Sequence, residues 1–317
     1  MKVLVTGADG FVGRHVVRVL RQAGDTVAAG CRPGGPAVDW TSDHSAGPPV
    51  EVIPLEIAED ASVAAALAWG PDAVVHLAAV ASVRQGRARP GATWEVNAAG
   101  TARLAAAAGG LREAGRLDPV VLVVSSGEVY GPGREAPRQE SDPTAPVSAY
   151  AASKLGAEVA ALEAWRRTGL RVIIARPFPH TGPGQTSDYV VPAFVGRLRE
   201  AGRQGARTVA VGNLDPVRDL LDVRDVAVAY RRLLESGQPG QAYNVARGTG
   251  VSLAEVFRRL AALIGVAAEP VPDPSLVRTA DIPHLVGDPA KLTRATGWTP
   301  AISFEQTLQG LVDAQAD

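Results

Sequence analysis

The sequence predicts an α/β fold built around a doubly wound parallel sheet. Short apolar runs rich in valine recur along the first two-thirds of the chain, without the polar alternation of a sheet that has one solvent-exposed face. Helix-length segments separate these runs, which is the alternation that parallel sheets require. A glycine-rich turn, VTGADGFVG, directly follows the first run. In such a fold, ligands bind at the carboxyl ends of the strands.

The predicted strands and helices alternate as far as residue 177. The strands are KVLVT at 2–6, TVAAGC at 26–31, VEVIPL at 50–55, AVVHLAA at 73–79, VVLVVSS at 120–126 and RVIIARP at 171–177. The helices between them are Phe11–Ala23, Ser62–Trp69, Trp94–Ala108 and Tyr150–Thr168. We therefore predict a dinucleotide-binding domain over residues 1–177.

The pattern changes after Pro177, where proline and glycine crowd the segment RPFPHTGPGQ. Shorter elements follow, with helices predicted at 189–201, 225–235, 252–264 and 303–312 and strands near 208–211 and 242–245. These elements predict a smaller substrate lobe over residues 178–317, partly interleaved with the first domain.

The composition indicates a globular protein that acts on small molecules. The chain has 317 residues, of which 46% are hydrophobic and 21% charged, and its formal net charge is −1. That balance gives neither the basic surface of a nucleic-acid-binding protein nor the Lys/Arg runs typical of membrane-surface binding. The sequence predicts no nucleic-acid partner, no membrane partner and no metal site.

Cysteine content and hydropathy predict a cytoplasmic location. Cys31 is the one cysteine, so no intrachain disulfide can form. The N-terminal residues MKVLVTGADGFVG lack the basic flank and apolar core of a secretory signal peptide. No apolar run approaches the ~20 residues that a membrane-spanning helix needs.

The glycine-rich turn predicts a dinucleotide cofactor. Gly7, Gly10 and Gly13 lie between the first predicted strand and the first predicted helix. Residues without a Cβ atom allow a tight turn, and they let backbone N–H groups approach a pyrophosphate at the positive end of the helix. The spacing is GxxGxxG rather than GxGxxG.

The end of the second strand favours NADP(H) over NAD(H). NAD-specific sites usually place a carboxylate there, against the ribose 2′-hydroxyl, but this chain has Cys31 followed by Arg32. A carboxylate repels a 2′-phosphate, whereas an arginine can bind it through two hydrogen bonds. The alternative is that Arg32 is an ordinary loop arginine.

A tyrosine and a lysine are spaced for acid–base chemistry. Tyr150 and Lys154 lie four residues apart on a predicted helix, hence on one face. The chain has only three lysines among its 32 basic residues, which indicates that Lys154 does what arginine cannot. An ammonium group is expected to lower the pKa of a neighbouring phenol and to reach ribose hydroxyls. The alternative is an exposed helix that carries both residues incidentally.

The motifs together resemble the extended short-chain dehydrogenase/reductase family, the NAD-dependent epimerases and dehydratases of nucleotide-linked sugars. They are TGADGFVG at 6–13, HLAA at 76–79, NAAGT at 97–101, SSGEVYG at 125–131 and Tyr150-xxx-Lys154. The resemblance runs nearly end to end. It implies an enzyme with a Rossmann-type fold.

The resemblance also assigns roles to individual residues. Tyr150 would be the acid–base catalyst with Lys154 beside it, and Ser126 would hydrogen-bond the reacting oxygen; alternatively, Ser126 caps the end of a strand. Glu56 stands where relatives usually carry aspartate against the adenine. Further cofactor contacts implied by the resemblance are Phe11, Val12, Ile57, Leu77, Ala78, Ala79 and Pro177.

Within that family, the second half of the chain looks most like the reductases of GDP-4-dehydro-6-deoxy-mannose. By this resemblance, Arg218 and Arg278 would bind the nucleotide diphosphate. Arg218 could instead form a structural ion pair with the neighbouring Asp219 or Asp222. One departure concerns Pro179, which replaces an asparagine that usually contacts the sugar nucleotide and which has no side-chain donor.

Three reactions use this scaffold: reduction, epimerisation and dehydration. Reduction of a C4 ketone needs only the tyrosine, the serine and NADPH, and we expect it here. Epimerisation needs tightly bound NAD and rotation of the ketone. Dehydration needs a base at C5, for which Glu128 is the candidate, although Glu128 could instead bind substrate or backbone. A role as a nucleotide-sensing module is disfavoured because Tyr150 and Lys154 are both retained.

The resemblance finally implies a homodimer. In relatives, the helices that correspond to Trp94–Ala108 and Tyr150–Thr168 often pair across a dimer as a four-helix bundle.

Overall fold

A computed structural model describes residues 1–40, 47–133, 135–277 and 282–315. The strands are β1 (Lys2–Thr6), β2 (Thr26–Cys31), β3 (Glu51–Pro54), β4 (Ala73–His76), β5 (Val120–Val124), β6 (Arg171–Pro177), β7 (His180–Thr181), β8 (Thr208–Val211), β9 (Val217–Arg218), β10 (Leu221–Asp222), β11 (Ala242–Val245), β12 (Val251–Ser252), β13 (Glu269–Pro272) and β14 (His284–Leu285). The helices are α1 (Phe11–Gln22), α2 (Asp60–Leu67), α3 (Val83–Ala88), α4 (Pro90–Trp94), α5 (Gly100–Glu113), α6 (Ala149–Thr168), α7 (Val190–Gln204), α8 (Val223–Ser236), α9 (Leu253–Ile264), α10 (Ala290–Thr296) and α11 (Phe304–Ala314). Shorter turns are a π-helical turn, Glu95–Ala99, and two 3₁₀ turns, Gly127–Tyr130 and Pro274–Leu276.

A seven-stranded sheet in the order β11-β6-β5-β4-β1-β2-β3 forms the centre of the molecule. Every neighbouring pair in it is parallel. The strand order reverses beside β1, so a crevice opens at the carboxyl ends of β1 and β4. The predicted α/β fold is confirmed.

Apolar side chains cover both faces of this sheet. On one face, Val16 and Leu20 of α1 pack with Val226 and Leu233 of α8. On the other, a second cluster joins α2, α5 and α6, with Leu104 of α5 fully buried at its centre. The continuous valine runs are explained by this arrangement, because strands covered on both faces have no polar side.

The chain beyond residue 177 forms an apolar cluster of its own and also supplies the edge strand of the large sheet. Helices α7, α9 and α11 pack around a separate core that includes Phe194, Phe257 and Leu308. By contrast, α8 packs against α1, and β11 pairs with β6 as the edge of the large sheet. Among the described residues, no helix has the length and apolar character to cross a membrane.

The helix predicted over Trp94–Ala108 is present, but it is not a regular α-helix throughout. It runs from the end of α4 through the π-helical turn Glu95–Ala99 into α5 without a break. Within this turn, Asn97 accepts a hydrogen bond from the Val80 N–H (2.8 Å) and donates to the Ser153 hydroxyl (2.9 Å). The wider turn lets the Asn97 side chain make these contacts, as such turns often do at functional sites.

Candidate active site

The glycine-rich turn closes tightly at the carboxyl end of β1. Gly7 has a φ of +66°, a conformation that side chains disfavour. A Cβ atom on Gly13 would lie 2.3 Å from the Gly7 carbonyl oxygen, so nothing larger than glycine fits. Gly10 is the N-cap of α1, with Phe11 and Val12 in the first helical turn. This turn therefore has the shape that a pyrophosphate at the helix N-terminus requires.

The loop after β4 is fixed beside that turn. The Thr6 hydroxyl oxygen accepts the backbone N–H groups of Leu77 (3.1 Å) and Ala78 (3.0 Å). With those donors on its oxygen, Thr6 must donate its own proton to Nδ1 of His76, 2.8 Å away. Burial lowers the pKa of His76 to about 3, so the ring is neutral and protonated on Nε2. These contacts place the Leu77–Ala79 segment at the crevice.

The adenosine end of the crevice carries mixed charge. Arg32 follows β2 and is exposed. Arg14 and Asp9 both lie near the Cys31 thiol, whose pKa is raised by burial and by the Asp9 carboxylate and lowered by the Arg14 guanidinium. Cations and an anion therefore surround the point where a ribose 2′-substituent is expected.

Three further predicted cofactor residues lie at the ends of two strands, β3 and β6, which are separated by four strands of the sheet. Glu56 follows β3 and accepts the Ala58 N–H at 3.2 Å. Ile57 is 3% exposed and packs against Gly100 of α5. Pro177 is buried at the end of β6, beside β11.

The predicted catalytic side chains meet at the carboxyl end of β5. The Ser126 hydroxyl lies close enough to the Tyr150 hydroxyl to lower the pKa of that phenol. It also accepts the Glu128 N–H at 3.2 Å and so caps the short 3₁₀ turn. Ser126 therefore has a capping role, as one interpretation of the sequence expected, although it caps this turn rather than a strand. The Glu128 carboxylate is close enough to Tyr150 to raise its pKa.

Lys154 is buried behind this cluster. Its ammonium group donates to the Val124 carbonyl oxygen at 2.8 Å, and burial lowers the pKa of Lys154 to about 8. The expected lowering of the Tyr150 pKa is not observed. Burial and the Glu128 carboxylate raise that pKa instead, and the Ser126 hydrogen bond lowers it only in part.

Asn97 and Ser153 extend the site in a way that the sequence interpretation missed. Asn97 links the backbone of Val80 to Ser153, which in turn donates to the Tyr150 carbonyl oxygen at 2.8 Å. The motif NAAGT contained the signal, but its partners lie 17 and 56 residues away along the chain. The contacts hold the first turn of α6 against the loop after β4.

Of the two residues predicted to bind the diphosphate, Arg218 lies within the described part of the chain. Arg218 lies on β9 and donates to the Val217 carbonyl (2.9 Å) and the Ile282 carbonyl (2.7 Å). Arg278 lies outside the described residues. Asp222, proposed as an alternative partner for Arg218, forms a two-point ion pair with Arg224.

Asp219, the other alternative partner of Arg218, has a different role. Its buried carboxylate accepts the backbone N–H groups of Arg247 (2.8 Å), Gly248 (2.9 Å) and Gly287 (3.3 Å). Asp219 therefore connects its own segment, next to β9, to the segments that contain Arg247–Gly248 and Gly287.

The segment that carries Pro179 approaches the glycine-rich turn. The next residue, His180, stacks on Phe11 with ring centroids 6.3 Å apart. Burial lowers the pKa of His180, so its neutral ring donates from Nδ1 to the Phe178 carbonyl oxygen at 2.9 Å. The ring nitrogen Nε2 of His180 is then an acceptor.

Contacts between two loops cross the mouth of the crevice. Arg84 of α3 forms an exposed ion pair with Asp188 at 2.6 Å. The Tyr189 hydroxyl lies 3.4 Å from the Ala81 carbonyl oxygen. Both contacts join the loop region after β4 to the segment before α7.

The sequence pattern of the NAD dependent epimerase/dehydratase family matches residues 3–246 of this chain. The chain belongs to this family. GDP-6-deoxy-D-mannose reductase from Pseudomonas aeruginosa is 34% identical to this chain, over 98% of this chain and 96% of its own length. The structure of RMD from Pseudomonas aeruginosa complexed with NADPH has a TM-score of 0.82 at 33% identity, and the match covers 99% of this chain and 98% of that one. UDP-glucose 4-epimerase from Thermus thermophilus, in complex with NAD, has a TM-score of 0.85 at 30% identity, with 100% of both chains covered.

These findings confirm the predicted family and the prediction that the protein is an enzyme. The epimerase/dehydratase family includes reductases and epimerases on one fold, and its solved members bind either NADPH or NAD. The choice of reaction and cofactor in this member must therefore be argued from its own residues.

Proposed function

We propose that this enzyme is an NADPH-dependent reductase of a nucleotide-diphospho-4-keto-6-deoxy sugar, with GDP-4-dehydro-6-deoxy-D-mannose as its substrate. The observation that carries the proposal is the proximity of the Ser126 and Tyr150 hydroxyls at the carboxyl end of β5, with Lys154 one helical turn away. The likeness to a GDP-6-deoxy-D-mannose reductase supports the substrate class.

Tyr150 is the proton donor in this reaction. NADPH, when bound, supplies the hydride that adds to C4. The Tyr150 phenol donates its proton to the ketone oxygen, while the Ser126 hydroxyl donates a hydrogen bond to the same oxygen. Because burial raises the pKa of Tyr150, the phenol keeps its proton at neutral pH, which suits an acid in the reductive direction. The Lys154 charge then stabilises the phenolate that is left.

The direct test is single-turnover reduction of the 4-keto sugar nucleotide by NADPH. Tyr150→Phe should slow hydride transfer by about 10²–10⁴, the usual contribution of a positioned acid–base group. Tyr243→Phe is the matched control, because that hydroxyl accepts only a backbone N–H, from Gln238. Full activity in Tyr150→Phe would contradict the assignment.

Product analysis distinguishes reduction from the two other reactions of the scaffold. A reductase consumes one NADPH for each 6-deoxy sugar nucleotide that it forms. Tightly bound NAD that copurifies, with C4 inversion and no net use of cofactor, would show an epimerase. Loss of water from a GDP-hexose, abolished in Glu128→Gln, would show a dehydratase. Either result would replace the proposed function.

The preference for NADPH is supported by Arg32 and by Arg14, which lies near Cys31 at the end of β2. Asp9 also lies near Cys31, and it disfavours NADPH because a carboxylate repels a 2′-phosphate. Fluorescence titration should therefore show weaker NADPH binding in Arg32→Ala and tighter binding in Asp9→Asn. Cys31→Asp combined with Arg32→Ala should reverse the preference by adding repulsion. Wild-type protein that binds NADH more tightly would overturn this part of the proposal.

We also propose that the enzyme forms a homodimer through α5 and α6. An apolar groove of about 650 Å³ lies between these helices and is lined by Trp94, Ala102, Ala106 and Val159, among others. The Trp94 and Val159 side chains are 44% and 62% exposed, respectively. Val159→Glu should shift the protein to a monomer in sedimentation velocity, whereas Val271→Glu, at an exposed valine of β13, should not. A monomeric wild type would exclude the dimer.

A further inference from the structure

A buried polar network lies behind the proposed catalytic residues. Glu158 of α6 is 2% exposed, and its Oε1 accepts the Ser125 hydroxyl at 2.5 Å. Arg176 of β6 donates to both oxygens of the same carboxylate, from Nε to Oε1 (2.9 Å) and from Nη2 to Oε2 (2.7 Å). The proposed mechanism gives these three side chains no role.

The network continues from Arg176 to the edge strand β11. Arg176 Nη1 donates to the Tyr130 hydroxyl at 2.9 Å, and that hydroxyl donates to Oδ1 of Asn244 at 2.7 Å. Burial raises the pKa of Tyr130 to about 12, so the phenol remains a donor. Asn244 Nδ2 then donates to the Arg138 carbonyl oxygen at 2.8 Å. Arg176 is thereby fixed from several sides and presents a rigid pair of donors to Glu158.

Two contacts set the position of α6 along β5. Lys154 and Glu158 lie one turn apart on the same face of α6. The Lys154 ammonium group bonds the Val124 carbonyl, and the Glu158 carboxylate bonds the hydroxyl of the next residue, Ser125. The residue after that, Ser126, lies beside the Tyr150 hydroxyl. Because consecutive residues of the strand end contact one helix, a rotation or slip of α6 would disturb every contact together.

We propose that Glu158 is a positioning residue that holds α6 in the register at which the Tyr150 and Ser126 hydroxyls meet. The inference rests on the proposed function, which assigns those hydroxyls their roles. A neutral glutamine has one acceptor oxygen instead of two, and its amide N–H₂ group would face a donor of Arg176 or of Ser125. Relief of that conflict displaces α6, and a displacement of about 1 Å can cost about 10²-fold in rate.

The experiment compares Glu158→Gln with Glu163→Gln, a control on the same helix whose carboxylate is exposed and paired with Arg167. Single-turnover hydride transfer should fall by about 10²-fold in Glu158→Gln and stay unchanged in the control. Binding of 2′,5′-ADP, which probes only the adenosine half of the cofactor site, should stay unchanged in both. Ser125→Ala keeps the Glu158–Arg176 ion pair, and we therefore expect this variant to fold. We expect it to slow hydride transfer by roughly tenfold.

A merely structural role gives a different result. If Glu158→Gln lowers the melting temperature but keeps the wild-type transfer rate per folded molecule, the proposal is overturned. Crystal structures of wild type and variant supply a readout that needs no activity. The Tyr150–Ser126 hydroxyl separation should be larger in Glu158→Gln than in the wild type, and an unchanged separation overturns the proposal even where the wild type proves to catalyse another reaction.

Discussion

At the scale of single residues, Lys154 explains why this chain retains a lysine among so many arginines. Lys154 is 6% exposed, and its ammonium group donates to the Val124 carbonyl oxygen. A guanidinium group is larger, planar and nearly always charged. It could not enter this space in the same geometry, nor could its pKa fall to about 8 as that of Lys154 does through burial.

The first prediction follows from that pKa. In wild-type enzyme, kcat/KM for reduction should fall as pH rises through about 8, because the free enzyme then loses the Lys154 charge. Lys154→Met should remove this titration together with most of the activity, and Lys154→Arg should lower turnover and weaken NADPH binding. Lys291→Met is the matched control, since that lysine donates to Gln241 instead. A pH profile shared by wild type and Lys154→Met would show that another group titrates.

At the scale of elements, the sequence predicted most strands and helices but not their distant contacts. β1, β2 and β6 begin and end as predicted, because buried valine runs and flanking glycines are local signals. The π-helical turn was missed, since the contact that Asn97 makes from it is with Ser153, 56 residues further along the chain. Likewise, the spacing of Tyr150 and Lys154 was readable from one helix, whereas the Glu158–Arg176 ion pair joins α6 to a strand.

The second prediction concerns the start of α1. Gly13→Ala places a Cβ atom 2.3 Å from the Gly7 carbonyl oxygen, so the turn must open. We expect NADPH binding to be lost and the free energy of unfolding to fall by about 1–3 kcal/mol, as in overpacked sites. Gly196→Ala is the control within α7, where a Cβ atom meets nothing within 4 Å, and it should stabilise the protein by about 0.5–1 kcal/mol. Isothermal titration and urea denaturation of both variants provide the measurements.

The third prediction concerns the strands around Asp219. Burial raises the pKa of this carboxyl from 3.8 to about 6, although three backbone N–H groups donate to it. The folded protein thus holds the proton more tightly than the unfolded chain, so this contribution to stability is complete below pH 3.8 and is lost as pH rises to about 6. Over that interval, the free energy of unfolding of the wild type should fall by roughly 3 kcal/mol relative to that of Asp219→Asn. Urea denaturation curves that stay parallel from pH 4 to pH 7 would contradict this.

At the scale of the whole molecule, the residues proposed to bind the cofactor and those proposed to bind the substrate come from different parts of the chain. The glycine-rich turn, the β4 loop and Arg32 belong to the first sheet strands, whereas Arg218 lies on β9 in a separate three-stranded sheet. The change of pattern after Pro177 predicted a second lobe partly interleaved with the first domain. It could not predict which elements return to the large sheet, here α8 and β11, because strand order is set by packing between elements far apart along the chain.

The last prediction tests whether the two ligands are bound independently. Arg218→Ala should raise KM for the nucleotide sugar far more than the Kd for NADPH, because the lost guanidinium group is proposed to bind the diphosphate. Arg32→Ala should raise the Kd for NADPH far more than KM for the nucleotide sugar. Since the two residues are assigned to different ligands, their effects in the double variant should add within about 0.5 kcal/mol. Arg232→Ala, at an exposed arginine of α8, should change neither constant. Equal losses for both ligands in Arg218→Ala would show instead that Arg218 supports the fold around β9, through its contacts with the Val217 and Ile282 carbonyls.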